Sequence, residues 1–315
     1  MERAFVWAER GQADFVRTAV ARAGLALAGV GASSSAAAGE LAATLDVPRG
    51  SDLRRAALHD EHDVIWIATP EHLEADERRT LRQCGKPVFT CTPRPVRIDD
   101  LLADPDEVDT GRIIPLFRRS DGYRAAMEII AELGPPNLVS IVMAGPTSSS
   151  SLLARLYDAM DLIDTLCPQP EGINASLSGP LAGVPETLEG LHGHLAGSIR
   201  FGSNCAATVA ISDCSGAWTR RVALLSDRGS LSVTDRGFVH HDHAGNLSEW
   251  SANESLIDPG ELVGERIRAA LDHGDGATDS PPNARRVLAL CEAARLSCRT
   301  RQDERPERIV EMYGL

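Results

Sequence analysis

Aromatic residues make up only 4% of this 315-residue chain, and positive charge is scarce, with 32 lysines and arginines against 45 acidic residues. The net charge of -13 repels phosphate backbones and anionic headgroups, and no dense Lys/Arg run counters it locally. Nucleic acid and membrane surfaces are therefore not expected partners. No stretch approaches the roughly 20 apolar residues that span a bilayer, and Met1-Glu2-Arg3 leads into a short apolar run rather than a signal-peptide core. A cytoplasmic location is the expectation. The seven cysteines include no CxxC pair and no histidine at zinc-like spacing. They read as reduced, mostly buried small hydrophobes, and no metal is expected. A chain that is 43% hydrophobic and 24% charged, and this long, is expected to fold as two domains.

What is present is a change of rhythm. Ala4–Ala8, Leu25–Val30, Asp63–Ala68 and Pro87–Cys91 are near-continuous apolar strands, separated by helical patterns over Gln12–Ala23, Ala36–Leu45 and Pro70–Gln83. Buried strands alternating with helices indicate a parallel sheet covered on both faces, a doubly wound α/β domain over residues 1–117. Beyond it, Leu138–Met143, Gly172–Ser178, Gly193–Phe201, Ala206–Ser212, Thr219–Leu225 and Ser230–Thr234 follow one another as strands, many joined by turns such as Asp227-Arg228-Gly229. Residues 118–315 should form an α+β domain with an open, mainly antiparallel sheet. The tail places Val287, Leu290, Cys291, Ala294 and Cys298 on one helical face.

Three phrases carry a resemblance. They are Asp63-Val64-Ile65-Trp66-Ile67-Ala68-Thr69-Pro70, Gly85-Lys86-Pro87-Val88-Phe89-Thr90-Cys91-Thr92-Pro93 and Glu292-Ala293-Ala294-Arg295-Leu296-Ser297-Cys298-Arg299-Thr300. In this order the chain resembles a divergent member of the Gfo/Idh/MocA family, the glucose-fructose oxidoreductases and inositol dehydrogenases. The resemblance implies a Rossmann-like first domain binding NAD or NADP and a second domain binding a sugar-like substrate and forming a homo-oligomer through its sheet.

The same resemblance exposes what has changed. The pyrophosphate turn reads Ala8-Glu9-Arg10-Gly11-Gln12-Ala13, where Gly11 alone is glycine and Arg10 is either a phosphate ligand or a surface arginine. Ser33, in the run after Val30, stands where an acid would hold the adenosine ribose; serines suit the 2'-phosphate of NADP, or serve as a helix cap. Ala68, Thr69, Pro70 and Cys91 fall where relatives line the cofactor. Aligned on Pro93, the catalytic lysine becomes Thr92, with Arg94 two residues on as a substrate-binding candidate. The helical Asp/His pair becomes Asp161 and Asp158, and paired acids on a helix are ordinarily solvated. Arg118 could hold an anionic substrate or form a salt bridge. His240-His241-Asp242-His243 reads as a polar hairpin end.

The expected function is an oxidoreductase-family protein with degenerate cofactor and catalytic motifs, either non-catalytic or with a rebuilt site, in which NAD or NADP binds weakly or not at all. The alternative is an active NADP-dependent dehydrogenase of a sugar or polyol.

Overall fold

The computed structural model describes residues 1–50, 52–59, 61–70, 72–93, 96–98, 111–202, 204–251, 256–273 and 281–313. Strands β1 (Arg3–Trp7), β2 (Ala26–Gly31), β3 (Val64–Ile67), β4 (Val88–Thr90) and β5 (Arg112–Ile113) form an all-parallel sheet in the order β2-β1-β3-β4-β5. Side chains of a strand alternate between faces, and each face here has its own apolar core. Ala4 and Val6 join Phe15, Val16 and Leu41 from the helices Ala13–Arg22 and Ser35–Leu45. Phe5 and Trp7 join Leu53 and Leu81 from the helices Leu53–Leu58 and Ala75–Gln83. This two-sided burial is why the strands are apolar throughout.

The helix expected from Pro70 begins at Ala75. Leu73 is drawn into the core, and Glu77 accepts from the Glu74 backbone N–H at 2.9 Å, which fixes the first turn there.

The second sheet has eight strands: β6 (Leu138–Pro146), β7 (Pro170–Ser178), β8 (His194–Phe201), β9 (Ala206–Ser212), β10 (Cys214–Ser226), β11 (Gly229–Thr234), β12 (Phe238–Asp242) and β13 (Leu247–Ser251). Their order is β13-β12-β11-β10-β6-β9-β8-β7, antiparallel except for the β6/β9 pair. Register sets Val222 opposite Ile141 and Ile141 opposite Val209, a buried row across three strands. The helices Leu152–Leu166 and Ala284–Thr300 cover that face, the second with Val287, Leu290, Cys291, Ala294 and Cys298 buried as the periodicity requires.

The chain then returns to the first sheet. Helix Pro259–His273 packs on Ala13–Arg22, and its Val263 and Ile267 complete that core. The approach is so close that a Cβ on Gly264 would lie 2.4 Å from the Ala19 carbonyl oxygen. Among the described residues no helix is long and apolar enough to cross a membrane.

Candidate functional site

The strand order reverses across β1, with β2 on one side and β3 on the other, so the crevice beyond their C-terminal ends is where an open α/β sheet takes its ligand. Here that crevice is spanned by the chain's own groups. The turn after β1 is a short 3-10 helix, Arg10–Gln12, running into helix Ala13–Arg22. Gln12 is buried and uses its whole amide: Oε1 accepts from the Glu9 backbone N–H at 2.8 Å, and Nε2 donates to the Ala68 and Ser148 carbonyls, both at 3.1 Å. One side chain thus joins the turn, the end of β3 and the loop after β6. Glu9 reaches the same place, accepting from the Thr69 hydroxyl at 3.2 Å. Backbone N–H groups and space for a pyrophosphate are the usual content of this turn; a carboxylate and a buried amide are its content here.

The other predicted cofactor positions separate. Arg10 is exposed and paired with Glu40 at 2.6 Å. Gly11 is exposed, with open space where a Cβ would stand. Cys91 lies in the core, its sulfur accepting from Trp66 Nε1 at 3.4 Å, and Pro70 is half-buried. Ser34 caps helix Ser35–Leu45 by accepting from Ala37 N–H at 3.1 Å, while Ser33 stays exposed. Ser33 lines a pocket of about 380 Å³ together with Trp7, Arg49, Arg54, Asp52 and Glu74.

Thr92 is buried and brings no charge to the place implied for a lysine. Lys86, the chain's single lysine, is engaged elsewhere, its Nζ donating to the His59 carbonyl. Arg94 lies outside the described residues.

Asp158 and Asp161 overturn the ordinary expectation for helical acid pairs, being 4% and 2% exposed. Helix Leu152–Leu166 is covered on nearly every side, so its carboxylates are held by partners rather than by water. Asp158 Oδ1 accepts from the Phe117 backbone N–H at 2.8 Å and Oδ2 from Arg220 Nη1 at 2.7 Å. Arg220 also forks onto Asp235, with Nε 3.0 Å from Oδ1, and Trp218 Nε1 donates to Asp235 at 3.0 Å. Arg118, a substrate ligand or a salt-bridge partner on sequence grounds, donates from Nε to Asp161 Oδ2 at 2.6 Å. Burial pushes the Asp158 carboxyl up against the opposing pull of Arg220. Burial tends to lower Arg220, but Asp235 and Asp158 outweigh it and hold the guanidinium above its ordinary value. Asp158, Arg220 and Asp235 thus form one buried ion cluster.

Sequence reasoning missed Arg220 and Asp235. The available signal was phase: Trp218, Arg220, Val222 and Leu224 share the buried face of β10, so Arg220 is a charge on an inward position. Gln12 had no such signal, since its partners lie 56 and 136 residues away.

Asp161 makes a measurable pH signature. Its carboxyl is pushed up to about 6 by burial, with Arg118 pulling the other way. A raised acid favours the protonated form in the folded chain, so this stabilisation is full below the unfolded value of 3.8 and is lost as pH rises through about 6. The step from 3.8 to about 6 corresponds to about 3 kcal/mol. Urea unfolding should show the wild type losing up to that amount relative to Asp161→Asn over this window; a pH-independent difference between the two would contradict it.

No family model matches the sequence, and no curated protein matches it. Solved structures do match. Levoglucosan dehydrogenase in complex with NADH and levoglucosan superposes with a TM-score of 0.70 over 96% of this chain and 98% of that one, at 15% identity. A putative myo-inositol dehydrogenase from Sinorhizobium meliloti 1021 gives 0.64 over 97% and 99%, at 16% identity. UDP-N-acetylglucosamine 3-dehydrogenase from Acidithiobacillus ferrooxidans gives 0.65 over 94% and 97%, also at 16%. At such identity the likeness is one of fold, and the fold is the one the three sequence phrases implied, that of the Gfo/Idh/MocA dehydrogenases.

Proposed function

We propose that this chain is an oxidoreductase-family scaffold that does not work as an ordinary nicotinamide-dependent dehydrogenase and whose cleft receives a sugar-like ligand. The observation that carries the reading is Asp158: both of its oxygens are committed inside the protein, to Phe117 and Arg220. Thr92 supports it by offering no cation, and the Glu9 and Gln12 contacts support weak nicotinamide dinucleotide binding, because a bound pyrophosphate would have to displace them. The similar structures include dehydrogenases holding NADH and a sugar, which is the ground for the ligand class. A homo-oligomer contact fits the open face of the second sheet, where Val142, Ala210 and Ala196 form an exposed small apolar row.

A second reading, an NADP-dependent dehydrogenase, is favoured by the adenosine-side pocket, where Ser33, Arg49 and Arg54 offer hydroxyl and guanidinium donors suited to a 2'-phosphate. Nicotinamide fluorescence titration separates the two. The first reading expects no saturation by NADH or NADPH below about 1 mM, the upper end of the ordinary range for enzyme ligands. Micromolar saturation by NADPH alone would establish the second.

A further inference from the structure

Where β9 ends and β8 begins, His194 pairs with Ser212 in the register of the two strands. Residues just outside that pair, His192 on one side and Asp213 and Cys214 on the other, are therefore neighbours despite lying 21 and 22 residues apart. Asp213 is 1% exposed and firmly placed: its Oδ1 accepts from the Gly193 N–H at 2.8 Å, and its carbonyl accepts from the Thr147 hydroxyl at 2.7 Å. Gly193 has φ +118, and a Cβ there would stand 2.4 Å from the Ser178 carbonyl oxygen, so only glycine brings this N–H onto the carboxylate.

The three side chains present one nitrogen, one oxygen and one sulfur. His192 Nδ1 is 3.0 Å from Asp213 Oδ2, Cys214 Sγ is 3.5 Å from Asp213 Oδ1, and Sγ is 3.9 and 3.8 Å from His192 Nδ1 and Nε2. Two chemistries use such a set. In a nucleophilic triad the sulfur faces one ring nitrogen and the acid stands behind the other. Here sulfur is equally distant from both nitrogens and lies beside the carboxylate as well.

The spacing suits a cation. Metal distances of about 2.3 Å to sulfur and 2.0–2.2 Å to nitrogen and oxygen give tetrahedral edges of roughly 3.3–3.7 Å, and the three donor atoms all lie within 4.8 Å of one another. A thiolate and a carboxylate would balance a dication. The mixed set of sulfur, imidazole and one carboxylate selects zinc over magnesium or calcium, which take oxygen donors. Cys214 is exposed and the His192 side chain is 36% exposed, which leaves the fourth position to solvent. The buried Arg155 points its N–H groups at the Ser150 and Pro146 carbonyls. We propose that His192, Asp213 and Cys214 form a three-ligand site for a divalent zinc-class metal ion, open to a fourth ligand.

Cobalt(II) is the probe, because a Cys-bound cobalt ion gives thiolate-to-metal charge-transfer absorption. The chelator-treated full chain should bind one equivalent with that absorption and release it to zinc. Cys214→Ser should abolish the charge-transfer band, and His192→Ala should weaken binding by at least about 100-fold, the upper end of what loss of a mere supporting partner costs. Far-UV circular dichroism confirms that both variants are folded, and His241→Ala, in the other histidine cluster, should leave binding unchanged. Absence of the band in the wild type, or a band that survives Cys214→Ser or depends on His241, overturns the assignment.

Discussion

Reduced-nicotinamide absorbance should stay flat when this protein is given NAD or NADP with a panel of sugars and polyols. Hydride transfer from a secondary alcohol needs a group to take the hydroxyl proton and a cation to steady the charge that develops. Absence of general acid–base help costs about 10²–10⁴-fold, and absence of a preorganised charge about 10²–10³-fold more. From a median turnover near 10 s⁻¹ this leaves at most about 10⁻³ s⁻¹. The variant that restores the implied residues, Thr92→Lys with Asp158→His, should not recover activity. Its histidine would replace the carboxylate that Arg220 Nη1 contacts at 2.7 Å, setting imidazole beside a buried guanidinium. Turnover of the wild type at ordinary rates, abolished by Asp158→Ala, would instead make Asp158 a working base and overturn the non-catalytic reading.

Arg220→Leu should be the most damaging single change to stability. The guanidinium is buried, holds Asp158 and Asp235 together, and lies 5.2 Å from the Trp218 ring centroid and 5.5 Å from that of Phe117. Its removal leaves buried carboxylates without their cation, which typically costs about 3–5 kcal/mol. At roughly 2–4 °C per kcal/mol for domains of this size, the melting temperature should fall by about 6–20 °C. The deficit should shrink at low pH, since an Asp158 deprived of Arg220 protonates more readily. Adding Asp158→Asn and Asp235→Asn should recover part of the loss by removing the orphaned charges. A fall of under about 1 kcal/mol in Arg220→Leu would show that the cluster does not hold this part of the fold.

Much of the architecture follows from pattern alone. Four apolar strands of the first sheet and six strands of the second are where hydrophobic period placed them, because burial on two faces or one leaves a different alternation in each. Ser34 and Asn283 cap their helices as residue type suggests. The hairpin end at Asp242 is as polar as its composition, with Asp242 accepting from Ala244 and Asn246 N–H groups. The start of helix Ala75–Gln83 was less legible, since Leu73 had to be claimed by the core before the first turn could be placed.

The state of the site was a matter for tertiary structure. Sequence alone determined which residues the chain carries, Thr92, Cys91, Asp158 and Ser33 among them, and the resemblance implied a lysine, a glutamate, a histidine and a ribose-binding acid in those places. It could not determine what those side chains touch. Asp158 and Asp161 become buried ion-pair partners because β10 carries Arg220 inward and Arg118 lies against the same helix. Gln12 bridges the crevice beyond β1 and β3 because the fold sets residues 68 and 148 within reach of one amide. His192 meets Cys214 because a β-hairpin register folds 22 residues back on themselves. Each of these depends on contacts between segments distant in sequence, and side-chain electrostatics acts over a few ångströms of space whatever the separation along the chain.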